Sequence, residues 1–105
     1  VPLLPGAITP GEIMTALEAG IDFLKFFPAE QAGGTTFLRS LASPLAAARF
    51  CPTGGVSPHN AEEYLAVPNV VCVGGSWVAP DDAIREGKWD VIESLARGAS
   101  QLVPA

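Results

Sequence analysis

Four short apolar runs alternate with amphipathic stretches, and this repetition constrains the fold of the chain more than any other feature. The runs cover residues 1–4, 22–27, 49–53 and 70–74, so successive runs begin 21, 27 and 21 residues apart. Such spacing is typical of strand–helix units in a parallel sheet, in which a helix connects each strand to the next. The sequence therefore predicts an α/β chain built from four βα units.

The predicted helices carry start and stop signals. Thr9 is a candidate N-cap, Pro10 suits the first helical position, Glu12 completes a capping box and Gly20 ends the helix. Four further helices are predicted after the glycine pair at 33–34, from Ser57 with Pro58 at its first position, around residues 82–86, and from Trp89 onward.

The number of units is half of what a closed barrel needs. Eight parallel strands close a (β/α)8 barrel, so four units leave two strand edges without neighbours. The chain is then either a small open sheet or half of a barrel. Glycine-rich segments follow the third and fourth strands, at 53–58 and 74–77, where such barrels hold phosphate after strands seven and eight. Residues 1–105 are therefore predicted to be the C-terminal half, about the last four βα units, of one TIM (β/α)8 barrel domain.

Lys25 interrupts the apolar run at 22–27, where a buried strand is predicted. A buried ammonium is costly to desolvate, so the amine must either pair with a carboxylate or lose its proton. An unprotonated lysine is a nucleophile that forms an iminium with a ketone, which supplies an electron sink without a cofactor. From the residues alone, the nucleophile and an ion pair with Asp22 or Glu30 both remain open.

The two glycine-rich turns are candidates for an anion site. Gly54 and Gly55 have no Cβ to keep a ligand from their N–H groups, and a helix starting at Ser57 would add the positive end of its dipole. Ser76, after the glycine pair at 74–75, adds a hydroxyl on the neighbouring strand. We favour a phosphate site at this rim over the alternative that the glycines only make tight turns.

Charge and hydropathy argue against several kinds of partner. The chain carries six basic and eleven acidic side chains, a formal net charge of −5, and its basic residues are scattered. Nucleic acid and anionic membrane are therefore poor partners. Although 49% of the residues are apolar, no run approaches the roughly 20 residues of a membrane span, and the first residues lack a signal-peptide pattern. We expect a cytoplasmic protein.

The remaining reactive side chains favour structural interpretations. Cys51 and Cys72 lie in apolar runs without metal-ligand spacing, so we expect buried reduced thiols rather than a disulfide or metal ligands. His59 is expected to be exposed at a helix start, and no second histidine exists to complete a metal site. Trp77 and Trp89 are expected to be packing residues. We predict no metal and no cofactor.

Three motifs, in order, resemble a known enzyme family. They are KFFPAE at 25–30, RFCPTGG at 49–55 and CVGGSW at 72–77, and PGAITPGEI near the start agrees with them. The chain resembles the 2-keto-3-deoxy-6-phosphogluconate (KDPG) aldolases, which also act on 4-hydroxy-2-oxoglutarate. The resemblance runs along the whole chain but covers only the second half of the family's barrel. It implies a class I aldolase of the Entner–Doudoroff pathway, without a cofactor, that takes a small phosphorylated 2-oxo acid and forms a homotrimer.

The resemblance also implies individual roles. Lys25 matches the Schiff-base lysine, and Phe27 matches an aromatic residue against the bound pyruvate moiety. Thr53 matches a threonine beside the substrate. The residues that match the family's phosphate contacts are Gly54, Gly55 and Ser76.

The implied reaction cleaves KDPG to pyruvate and glyceraldehyde 3-phosphate through an iminium on Lys25, and 4-hydroxy-2-oxoglutarate to pyruvate and glyoxylate. The family's general base lies in the other half of the barrel, so we expect it outside this chain. Glu30, expected in the loop after the strand, is assigned a structural role. The alternative function is a non-catalytic half-barrel that binds phosphorylated ligands or another subunit.

Overall fold

The computed structural model describes residues 1–104, and at its centre two parallel strands are hydrogen-bonded to each other. Strand β1 is Phe23–Phe26 and β2 is Arg49–Pro52, with Lys25 opposite Cys51. The helices, in chain order, are α1 (Pro10–Glu18), α2 (Ala29–Ala32), α3 (Gly34–Leu41), α4 (Ala61–Leu65), α5 (Asp81–Arg85) and α6 (Trp89–Ala99), with a 3₁₀ turn at Ser76–Val78.

Two extended segments flank the strand pair and complete the predicted order of four. Residues 5–7 lie beside β1, because the Lys25 N–H donates to the Pro5 carbonyl and the Ala7 N–H donates to the Lys25 carbonyl. Residues 70–74 lie beside β2 through parallel bridges from Phe50 to Val70 and from Thr53 to Gly74. The four segments are therefore neighbours in chain order and all parallel, as the spacing predicts.

The first strand position was predicted wrongly. The apolar run at 1–4 forms no strand and is exposed, and pairing occurs only at residues 5–7. The pairing is set by the hydrogen bond from the Lys25 N–H to the Pro5 carbonyl. Proline can occupy this position because the bond requires its carbonyl and not an N–H. Apolar residues alone do not determine that register.

The sheet has one covered and one open face. Leu24 and Phe26 on β1 and Phe50 on β2 are fully buried against the helices, together with Ile13, Leu38 and Tyr64. The alternate residues Phe23 and Lys25 are only half buried. Since side chains alternate along a strand, Lys25 projects from the face opposite the core.

The first helix is confirmed in detail. The Thr9 hydroxyl accepts a hydrogen bond from the Glu12 N–H, and Glu12 Oε1 accepts from the Thr9 N–H at 2.9 Å, so the capping box is complete. The backbone N–H groups of Thr9 and Ile8, which both donate to this carboxylate, hold the pKa of Glu12 below its usual value. The predicted helices after the glycine pair at 33–34, around residues 82–86 and from Trp89 are also present.

The helix expected to begin at Ser57 begins instead at Ala61. Asn60 Oδ1 accepts from the Ser57 N–H at 2.8 Å, and Ser57 Oγ accepts from the His59 N–H at 3.2 Å. The Ala61 N–H donates to the Ser57 carbonyl at 2.9 Å, so Ser57 makes the contacts of an N-cap on a single turn over residues 57–60. The predicted capping residue is therefore present, but regular helix begins only after this turn, at Ala61.

Two expectations about packing also need correction. Glu30 lies in the first turn of α2, not in a loop. Trp77 packs against the core as expected, whereas Trp89 is 63% exposed and α6 buries none of its residues within the described chain. The apolar stripe of α6 is therefore only partly covered in this part of the protein, with Ile92, Leu95 and Ala99 half-buried.

Candidate active site

Lys25 and Phe27 lie together on the open face of the sheet. Lys25 is the third residue of β1, and Phe27 follows the end of the strand two residues later. The Lys25 Nζ lies 5.1 Å from the centroid of the Phe27 ring, inside the reach of about 6 Å for a cation–π contact. The two side chains therefore share one face, as the period of two along a strand requires.

Lys25 is half buried and forms no salt bridge within residues 1–104. Of the two carboxylates that could have paired with it, Glu30 is bound by Tyr64 and Asn60, and Asp22 makes no ion pair in the described chain. The ion-pair alternative is therefore not what the structure contains. The amine is less buried than the sequence predicts, because the open face has no cover here.

Thr53 connects the open face to the last extended segment. It pairs with Gly74, and a Cβ on Gly74 would lie 2.7 Å from Thr53 Oγ1, so only glycine allows this approach. The Thr53 hydroxyl lies 3.4 Å from the Cys51 carbonyl and 3.9 Å from the Cys51 sulfur. Since Cys51 is opposite Lys25 in the sheet register, Thr53 follows on the same face one step towards the carboxyl ends of the strands.

Gly54 and Gly55 form a turn that packs on the end of β1. Both have positive φ, +98° and +77°, which favours glycine. A Cβ on Gly54 would lie 2.9 Å from the Pro28 Cα and 3.0 Å from the Phe27 ring, and one on Gly55 would lie 2.5 Å from the Glu30 Cγ. A continuous path of contacts thus leads from Lys25 through Phe27 to the glycine turn.

The second glycine turn follows residues 70–74. Ser76 is exposed at the start of the 3₁₀ turn, and the Trp77 ring lies over Gly75, at the position that a Cβ would take. Within residues 1–104 the N–H groups of Gly54, Gly55, Gly75 and Ser76 donate to no other residue. The two turns lie at the same edge of the sheet because Thr53 and Gly74 are bridged. This edge carries free backbone donors, the arrangement that anion sites use.

One part of the expected anion site is absent. The helix after the first glycine turn has five residues and begins at Ala61, so it does not point the positive end of its dipole at Gly54 and Gly55 from Ser57. The proposed anion site therefore depends on the free N–H groups of the two turns, without a helix dipole.

A polar cluster that the sequence did not reveal lies behind the first glycine turn. The Tyr64 hydroxyl donates to Glu30 Oε1 at 2.5 Å, and Asn60 Nδ2 lies 3.5 Å from the same oxygen. Tyr64 is fully buried, and burial together with the Glu30 carboxylate raises the pKa of its phenol. The two residues are 34 positions apart, so the sequence carries no local signal for this pair.

The two cysteines agree only partly with expectation. Both thiols are free, but Cys51 is buried and Cys72 is exposed. Phe50 is bridged to Val70 and Thr53 to Gly74, so the two residues 51–52 lie opposite the three residues 71–73 of the last segment. The extra residue disturbs the alternation of side chains around Cys72. Partial burial of its sulfur, and then the neighbouring Cys51 thiol, raise the pKa of Cys72 to about 11.

His59 is exposed in the turn before α4, as expected. Among the described residues no three His, Cys, Asp or Glu side chains come together as a metal site. No helix within residues 1–104 has the length and apolar character to cross a membrane.

Comparison with known proteins agrees with the resemblance seen in the motifs. The sequence pattern of the KDPG and KHG aldolases matches residues 1–95. The KHG/KDPG aldolase of Escherichia coli (strain K12) is 48% identical over 99 residues, which are 94% of this chain and 46% of that protein. The chain thus spans about half the length of the curated relatives it matches, and the matched part is their C-terminal half.

Solved structures of aldolases have the same fold. The KDPG aldolase of Legionella pneumophila, with pyruvate captured at low pH as a covalent carbinolamine intermediate, superposes with a TM-score of 0.91 at 43% identity, covering 94% of this chain and 48% of that one. The enzyme of Zymomonas mobilis ATCC 29191 gives 0.87 at 46% identity, covering 98% and 48%. The four parallel segments and their helices are therefore part of a TIM-type (β/α)8 barrel, and this chain belongs to the KDPG and KHG aldolase family.

Proposed function

We propose that this chain is the C-terminal half of a class I aldolase barrel, in which Lys25 forms a Schiff base with a 2-oxo acid. The observation that carries the proposal is the position of Lys25. Its amine lies on the open face of the sheet, over the Phe27 ring, and forms no salt bridge within residues 1–104. A lysine that is held by an aromatic ring, and not by a carboxylate, remains available to a carbonyl carbon once it is unprotonated.

The chemistry follows from the iminium. The lone pair of the Lys25 Nζ attacks the ketone carbon, and loss of water from the carbinolamine gives an iminium. A base then takes the proton of the hydroxyl two carbons further on, and the bond between the intervening carbon and the carbinol carbon breaks. Its electrons pass to the iminium and form an enamine, while the aldehyde leaves. Protonation of the enamine carbon and hydrolysis release pyruvate and restore the lysine.

The general base is proposed to lie in the other half of the barrel. Among the carboxylates near the site, Glu30 accepts hydrogen bonds from Tyr64 and Asn60 on the helix side of the sheet. A carboxylate engaged in this way does not serve the face on which Lys25 lies. The described chain therefore supplies the nucleophile and part of the binding site.

We assign substrate contacts to Phe27 and Thr53 and phosphate contacts to Gly54, Gly55 and Ser76. The free N–H groups at the two turns support the phosphate assignment. KDPG is the proposed substrate, cleaved to pyruvate and glyceraldehyde 3-phosphate, with 4-hydroxy-2-oxoglutarate as a second substrate. The similarity to the KHG/KDPG aldolase of E. coli supports this choice. A homotrimer in the cytoplasm, acting in the Entner–Doudoroff pathway, is proposed from the family alone.

Borohydride trapping tests the assignment of Lys25. An active protein that contains this chain is incubated with pyruvate and sodium borohydride, digested and analysed by mass spectrometry. We expect reduced adduct on the peptide that contains Lys25. The other lysine of the chain, Lys88, is an internal control, because it is exposed and paired with Glu86 at 2.6 Å. A protein that cleaves KDPG but carries no adduct on Lys25 contradicts the assignment.

A further inference from the structure

The cluster of Glu30, Asn60 and Tyr64 has a geometry that points beyond a general structural role. We propose that Glu30 and Tyr64 are positioning residues that hold the turn at 53–55 in the conformation that binds a phosphate or a similar anion. This inference rests on the function proposed above, because that function gives the turn its ligand. Neither side chain is proposed to touch the substrate.

Hydrogen bonds from Glu30, Asn60 and the neighbouring Ala29 end on the carbonyl groups of the turn. The Ala29 N–H donates to the Thr53 carbonyl at 2.8 Å, and the Glu30 N–H donates to the Gly54 carbonyl at 3.1 Å. Asn60 Nδ2 donates to the Gly55 carbonyl at 3.0 Å. Three successive carbonyls are therefore held on one side by α2 and by the residue that precedes α4.

The direction of the carbonyls determines the direction of the N–H groups. In a planar trans peptide the carbonyl of one residue and the N–H of the next point in opposite directions. Fixing the carbonyls of residues 53–55 thus turns the N–H groups of Gly54 and Gly55 away from α2, and that of Val56 away from Asn60. Within residues 1–104 none of these three N–H groups donates to another residue. The turn therefore has three successive N–H groups without a partner in this part of the chain, and its carbonyls are engaged.

The hydrogen bond between Tyr64 and Glu30 holds the Glu30 side chain in place against the turn. The Tyr64 ring is fully buried in α4, and its hydroxyl needs an acceptor at that depth, which Glu30 provides. The Glu30 Cβ and Cγ lie directly over Gly55, at 2.7 and 2.5 Å from the position of a Cβ on that residue. Movement of the Glu30 side chain would therefore free both the phenol and the turn. Preorganised donors bind an anion more tightly because they need no ordering when it arrives.

The test uses an active protein that contains this chain. Tyr64→Phe removes the hydroxyl and keeps the ring, Glu30→Ala removes the carboxylate, and Glu30→Gln keeps an acceptor oxygen. We expect KM for KDPG to rise about tenfold in Tyr64→Phe and Glu30→Ala, since the hydrogen bond between the buried tyrosine and a carboxylate is lost. Glu30→Gln should recover part of that loss. The kcat values should stay unchanged, and KM for 4-hydroxy-2-oxoglutarate, which has no phosphate for the turn to bind, should change much less than KM for KDPG.

A matched control lies on the same polar surface. Glu63 accepts from the Thr35 hydroxyl at 3.1 Å and makes no bond to the turn, so Glu63→Gln should leave both KM values unchanged. Thermal unfolding with and without inorganic phosphate supplies a readout that does not require catalysis. Phosphate should raise the melting temperature of the parent and of Glu63→Gln more than that of Tyr64→Phe.

The outcomes separate the two proposals. A parent protein that is stabilised by phosphate but cleaves neither substrate refutes the aldolase assignment, while a smaller phosphate effect in Tyr64→Phe still supports the positioning role. Equal losses on both substrates, or an unchanged phosphate effect in Tyr64→Phe and Glu30→Ala, would overturn the positioning role. If one of these two variants unfolds below the assay temperature, the other decides by the same criteria.

Discussion

Replacing Gly55 by alanine tests how tightly the glycine turn packs against Glu30. Gly55 has a φ of +77°, and its Cβ would lie 2.5 Å from the Glu30 Cγ and 2.7 Å from the Glu30 Cβ. Rotation of the side chain can move the Cγ, but the Cβ is held by the backbone of α2. Gly20 is a matched control, because its φ is +81° and no atom lies within 4 Å of the Cβ position.

The expected loss in free energy of unfolding has two parts. A left-handed conformation costs an alanine about 1–2 kcal/mol at either site, and the loss of unfolded-chain entropy offsets about 0.4–1 kcal/mol of this. Overlap with Glu30 adds about 1–3 kcal/mol at Gly55 only. We therefore expect Gly20→Ala to lower the free energy of unfolding by roughly 1 kcal/mol and Gly55→Ala by roughly 2–4 kcal/mol.

The assay is urea unfolding, followed by circular dichroism, of a folded protein that contains this chain. The difference between the two variants isolates the contact with Glu30, since the backbone conformation is the same at both sites. Equal losses would refute the packing of Glu30 over the turn. A side chain at Gly55 would disturb Glu30 as well as the approach of an anion, so kinetic data on Gly55→Ala would not isolate the phosphate site. Ser76→Ala, at an exposed position, is a cleaner test of the phosphate site.

Three further predictions concern stability and titration. Thr9→Ala removes the N-cap of α1 and should lower the free energy of unfolding by about 1 kcal/mol, measured by urea unfolding; an unchanged midpoint would contradict the cap. Phe26→Ala should cost about 3–5 kcal/mol because its ring is fully buried beside two other phenylalanines. Phe27→Ala should cost far less, since Phe27 is 52% exposed, and a similar loss for both would contradict the assignment of the two faces. Tyr64 should ionise above the ordinary phenol value of 10.0, because burial and the Glu30 carboxylate raise its pKa. Its contribution to stability is then complete below about pH 10 and is lost as the pH rises further. Phenolate absorbance at alkaline pH measures this, and Glu30→Gln should shift the titration to lower pH.

Local sequence was sufficient for the elements whose determinants lie within a few residues. The capping box of α1 needs only Thr9 and Glu12, three positions apart, so its prediction survived in detail. The shared face of Lys25 and Phe27 follows from the period of two along a strand. The order of four parallel segments follows from the spacing of apolar runs, because each connection has room for a helix.

Tertiary structure decided the features that depend on partners far apart in the chain. The first segment pairs at 5–7 and not at 1–4 because hydrogen bonds with Lys25 set its register. The Glu30–Tyr64 bond joins residues 34 positions apart, and neither residue carries a local signal for the other. Which face of the sheet stays open was likewise decided by the helices that cover Leu24 and Phe26. Side-chain periodicity and capping act over a few residues, whereas register, buried polar pairs and sheet faces are set by contacts that exist only after the chain has folded.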